Sequence, residues 1–197
     1  MERPHFTLPN RNFFLKYIVR AMEEKEENIL EIVTIGNPVL NRKADKISNI
    51  DQRIYDLAQK MINTMHSAPG VGLAAPQVNQ SVQLITVDIS VGEHKEDLIV
   101  LANPEILHKE GEAVLEEGCL SVPGINEKVT RPFRIVIKGI DLNGNERIIE
   151  AEDLMARIFC HETDHVNGKL FIEHLSSLKR SLIRKKLQKQ QEKDFHE

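Results

Sequence analysis

Apolar residues recur at helical spacing over 50–65, where Ile50, Ile54, Leu57, Ala58, Met61, Ile62 and Met65 share one face. Ser67-Ala68-Pro69-Gly70 ends that helix. The pattern then shortens. Apolar runs at 82–89, 98–102 and 133–140 predict strands, the last joined through Asn143-Gly144 to a partner at 146–150 as a hairpin. An earlier strand is expected at 29–35. Helical spacing returns over 153–166, stopped by Asn167-Gly168. It returns again from about Ser177, where Leu178, Leu182, Ile183 and Leu187 form an apolar stripe. Hairpins packed around one central helix, with a further helix at the end, predict an α+β domain of mostly antiparallel sheets.

Composition narrows the class. The chain has 197 residues, 41% apolar and 28% charged, which suits one soluble domain with a real core. No apolar run approaches the roughly 18 residues of a membrane span. Two cysteines, Cys119 and Cys160, are too few for a disulfide framework, so a reducing cytoplasm is the expected setting. The net charge of −4 is unevenly spread: 1–21 carries +3 and 176–197 carries +4, leaving 22–175 at −11. An acidic body argues against general nucleic-acid binding there, sequence-specific recognition included, and leaves the basic ends as candidates for anionic partners. The boundaries read as an N-terminal extension 1–21, a main body 22–175 and a basic C-terminal helix 176–197. The extension has three readings: an overextended start with Met22 as initiator, an ordered addition, or a short organellar targeting peptide.

The strongest chemical signal is His161-Glu162-Thr163-Asp164-His165. Residues four apart on a helix lie about 40° apart in azimuth and one turn apart in height, so both imidazoles can face one ion. Glu162 then stands beside them, placed to handle a proton on a metal-activated water. The plainer alternative is two core histidines, since Leu154, Ile158, His161 and His165 form one stripe. Two buried imidazoles in a row need partners, and a metal supplies one reason for both.

Catalytic sites of this kind usually have three protein ligands and an open position. Cys119, in Glu117-Gly118-Cys119-Leu120-Ser121, is the better third candidate. Cys160 is rotated about 100° off the face of His161. The segment Gly70-Val71-Gly72-Leu73-Ala74-Ala75-Pro76-Gln77 matches a dinucleotide fingerprint only superficially, because a helix precedes it and Pro76 follows. Its small residues suggest backbone close to a ligand, with Gln77 offering an amide donor.

The three blocks at 70–77, 117–121 and 161–168, in that order, together resemble the peptide deformylase family in its bacterial form with a C-terminal helix. The opening from Leu30 is similar too, and the likeness runs to about Leu187. One departure is Cys160, where the family usually has Gln. The resemblance implies removal of the N-formyl group from N-formyl-methionyl nascent peptides, with release of formate. It implies Cys119, His161 and His165 as ligands of one divalent metal, Glu162 as the proton carrier, and Gln77 with the Leu120 backbone N–H as donors to the oxyanion. Ferrous iron is the native metal it implies, with Zn, Ni or Co also suited to the donors. Val71, Gly72, Leu154 and Ile158 are candidates for the methionine slot, and Arg131 and Asp164 are expected to pair behind the site. The basic C-terminal helix is a candidate for ribosome docking. Two other classes remain: a zinc peptidase, and a metal-stabilised binding module without turnover, against which Glu162 and Gln77 argue.

Overall fold

The computed structural model describes residues 28–68 and 70–194. The extension read at 1–21 lies outside them. Helix α1 (Gln52–Ser67) begins where the Asp51 side chain accepts from the Ile54 backbone N–H at 3.0 Å, capping a donor the helix leaves unpaired. It ends within the predicted stop, and Ile54, Ala58, Met61, Ile62 and Met65 are buried as their spacing requires.

Seven strands follow among the described residues: β1 (Gly72–Ala74), β2 (Leu84–Val87), β3 (Ile99–Glu110), β4 (Ala113–Cys119), β5 (Val122–Arg131), β6 (Arg134–Ile140) and β7 (Glu146–Glu152). Five build an antiparallel sheet in the order β1-β2-β3-β6-β7, while β4 and β5 pair as a separate ribbon. Helix α2 (Asp153–Val166) leaves β7 directly, and α3 (Ser177–Asp194) closes the described chain. No helix among the described residues is long and apolar enough to cross a membrane.

Strand β2 shows how the layers form. Leu84 packs with Ile54 and Met61 of α1, whereas Ile85 and Val87 pack with Ile158 and Phe159 of α2. Successive strand side chains face opposite ways, so a strand apolar at both phases is one covered by a helix on each side.

Helix α2 stops at Asn167, and Gly168 continues at φ +72°. A Cβ there would lie 2.6 Å from the Arg42 carbonyl carbon, so only glycine lets the helix end press on that backbone.

Two expectations need correction, and one element is new. Residues 29–35 form no strand: the Val33 N–H donates to the Gln77 carbonyl and the Ile35 N–H to the Ser121 carbonyl, both at 2.8 Å. Their bonds bridge two site loops instead of joining a ladder. The β4–β5 ribbon was not anticipated. On α3, Ile183 and Leu187 are buried while Leu178 and Leu182 are exposed. The two pairs stand about 140° apart around a helix, so one face cannot bury both.

Candidate active site and metal centre

Two of the three candidate donors come from α2 and the third from the end of β4. Their ligand atoms, Cys119 Sγ and one imidazole nitrogen each of His161 and His165, lie within 4.8 Å of one another. Cys119 Sγ is 3.3 Å from His165 Nε2. A tetrahedral ion with sulfur at ~2.3 Å and nitrogen at ~2.0 Å would require an edge of roughly 3.5 Å. The donor set therefore fits one divalent cation of the Zn, Fe(II), Co or Ni class. Cys160, as the helical rotation requires, is instead buried among Ile158, Phe159 and the sheet.

Each donor is held by something behind it. His161 Nδ1 is 3.1 Å from Glu117 Oε2, which fixes the ring and leaves Nε2 for the site. Its ring also stacks on Phe171, with centroids 6.1 Å apart. Glu117, itself buried, accepts from Arg131 Nε at 2.9 Å, Arg131 Nη2 at 3.0 Å and Arg157 Nη1 at 2.5 Å. Arg131 also pairs with Asp164, as the sequence suggested, and His174 Nε2 lies 2.7 Å from the same carboxylate. Burial opposes the charge on Glu117, but the bonds from His161 and Arg131 outweigh it and hold its pKa down to about 2.

Glu162 is different. It is only 3% exposed, its Oε2 has no hydrogen-bond partner, and burial pushes its pKa up to about 7 against the pull of His161 and Arg131. A carboxyl tuned this way can hold or release a proton near neutrality. Burial pushes His165 well down, and the charge of His161 adds to that. On His161 burial also opposes charge, yet its bonds to Cys119 and Glu117 prevail and push it up to about 10. Of the two imidazoles His161 is thus the one that favours the charged form, and a cation bound there would have to displace its extra proton.

Gln77 is buried on the short turn after β1. Its Oε1 accepts from the Ala74 N–H at 2.8 Å, which turns its Nε2 toward Cys119 Sγ, 3.6 Å away. Gln77, Leu120, Val71, Gly72, Leu154, Ile158, Cys119, His161 and Glu162 all line one open cleft of about 500 Å³, and His165 lies buried beneath it. Every site residue expected from the sequence is therefore in or directly under this cleft.

Residues 29–181 match the family described as Polypeptide deformylase. The chain belongs to that family. It is 50% identical over 158 residues to a peptide deformylase of Thermodesulfovibrio yellowstonii, covering 80% of this chain and 96% of that one. It is 47% identical over 163 residues to a peptide deformylase of Nitrosococcus oceani, covering 83% and 96%. A crystal structure of a peptide deformylase from Legionella pneumophila superposes with a TM-score of 0.79 at 40% identity, covering 86% of this chain and 99% of that one. Enzymes of the deformylase family are metal-dependent hydrolases, and this chain is one of them. The sequence assigns no role to Glu117, Arg157 or His174, although Glu117 opens the Glu117-Gly118-Cys119-Leu120-Ser121 motif. Only the juxtaposition of β4, β5, α2 and the short turn Phe171–His174 shows them as one network.

Proposed function

We propose that this chain hydrolyses the N-formyl group of formyl-methionine at the start of newly synthesised polypeptides, with Cys119, His161 and His165 holding one divalent ion. The observation that carries the reading is a Cys-His-His donor set sharing a cleft with Glu162, a buried carboxyl without a partner. A divalent ion in that position supplies Lewis acidity, acidifying water and polarising a carbonyl. The Glu162 carboxylate takes the proton of the attacking water and returns it to the departing amine. Gln77 Nε2 and the Leu120 backbone N–H donate to the oxygen of the formyl group as charge builds on it. Val71, Leu154 and Ile158 give the methionine side chain an apolar wall, and Gly72 keeps that wall close to Glu162. Ferrous iron is our choice of native metal, because the family resemblance implies it.

The test is metal analysis after anaerobic purification, followed by formate release from formyl-Met-Ala. Cleavage of the peptide bond of Met-Ala-Ser in place of formate release would make the chain a peptidase. Glu162→Ala should keep its metal and lose roughly 10²–10⁴-fold in kcat. Loss of the metal in that variant would make Glu162 a ligand and refute the proton role. Cys119→Ala should lose metal and activity, and Cys160→Ala should keep both.

The basic C-terminal segment, 176–197, serves in this reading as a ribosome contact. Lys179, Arg180 and Arg184 pair with Glu127 and Glu173 of the body, whereas Lys185 and Lys189 form no ion pair among the described residues. Charge reversal at Lys185 and Lys189 should weaken salt-sensitive ribosome binding and spare formate release. Unchanged ribosome affinity would overturn the docking role.

A further inference from the structure

Behind α2 lies a second concavity of about 580 Å³, polar where the catalytic cleft is partly apolar. Thr163 and Asn167 line it, and the helical step of about 100° places them well round the helix from His161. Four lysines stand at its walls: Lys43, Lys46, Lys109 and Lys169. All four are exposed, and none forms an ion pair among the described residues. In a body of net charge −11 this is a local reversal of sign.

The two carboxylates that share the concavity are already engaged. Glu105 lies 3.2 Å from Lys138 Nζ, and Asp164 pairs with Arg131 and His174. Thr163 is only 7% exposed, yet its Oγ1 has no hydrogen-bond partner. A buried hydroxyl without a partner is uncommon, and a ligand in the cavity it lines is one way to satisfy it.

The walls are also built rigidly. Gln83 Nε2 donates to the Ala44 carbonyl at 3.0 Å. The Asn103 side chain bonds both the N–H and the carbonyl of Ile47, at 2.9 and 2.8 Å. The Ala44 N–H donates to the Val166 carbonyl at 2.9 Å. The segment carrying Lys43 and Lys46 is thereby fixed to both the sheet and α2, so an anion binding there orders little new backbone.

We propose that this concavity binds a compact, multiply charged oxyanion of the phosphate type. Lysines that line one cavity from three separate segments suit such an ion as point charges. No aromatic side chain lines the space, so nothing there would stack on a nucleobase, and the ion is taken free and not on a nucleoside.

The test is a titration of the full-length Zn-loaded chain with sodium phosphate at low salt, followed by backbone amide shifts. Saturable shifts at 43–46, 163 and 167–169 are expected. Lys109→Gln combined with Lys169→Gln should raise Kd at least about tenfold, the scale of a lost charge-assisted bond, with formate release from formyl-Met-Ala unchanged. Thr163→Val should weaken binding independently of the lysines. Shifts confined to 70–77 and 117–121 would put the phosphate on the metal and overturn the proposal. So would shifts that never saturate, or an unchanged Kd in the double variant. Tighter binding of adenosine monophosphate than of phosphate would overturn the choice of a free ion.

Discussion

A methyl group added at Gly72 would stand 2.5 Å from Glu162 Oε1 and 2.8 Å from Ile158 Cγ2, closer than packed atoms come. Gly72→Ala must therefore move the carboxyl that carries the proton or the strand beneath the methionine slot. At least a tenfold fall in kcat, roughly the cost of small misplacement of a catalytic group, is expected with metal content unchanged. Steady-state kinetics and metal analysis on one preparation check it, and wild-type kcat would show that Glu162 tolerates displacement. At this scale the sequence was informative where chemistry follows from local spacing. Two histidines four apart, with a glutamate beside the first, predict their own geometry. The need for glycine at 72 was legible only as a general hint of close approach, because its neighbours Glu162 and Ile158 are some ninety residues away in the chain.

Between elements, Glu117 joins β4 to β5 through Arg131 and to α2 through Arg157 and His161. Breaking one member of a buried ionic network leaves the others uncompensated, at a cost of about 3–5 kcal/mol. Glu117→Gln should therefore lower unfolding free energy by that order. It should also weaken metal affinity by about 10–100-fold, as loss of a ligand's supporting partner does. Denaturant melts and competitive chelation measure the two effects, and wild-type metal affinity would mean that His161 is oriented without Glu117. The ribbon that carries Glu117 escaped sequence reading because it does not alternate. Val114 and Leu115 are both exposed, and along β5 buried positions fall at irregular intervals. The sheet strands facing helices on one or both sides kept their apolar signature, and so did α1 and α2. Residues 29–35 carried a strand-like pattern for another reason: Ile32 packs with the α1 layer, and Val33 and Ile35 pack beside Val122 and Phe171, without any ladder.

The molecule as a whole should be acid-sensitive. Asp88 is buried; burial opposes its charge, but bonds from Ser90, His66 and the Gly92 N–H outweigh this and hold its pKa below the ordinary value. A carboxyl lowered by folding adds stability above its unfolded pKa of about 3.9, and this is lost as pH falls through the folded value. Glu117, held to about 2, acts in the same direction. Asp88→Asn should thus be less stable than the parent at pH 7, with the gap closing below about pH 4, as urea titrations at both pH values would show. A gap independent of pH would assign the loss to packing instead of charge. Strand β2 has a further consequence. All four of its side chains are buried, and both of its edges are paired, to β1 and β3. No partial opening can wet its amides without parting two helices and two neighbouring strands. Deuterium should therefore enter 84–87 only when the whole domain comes apart, and hence far more slowly than the exposed loop at 91–94. That strand is the clock of global unfolding.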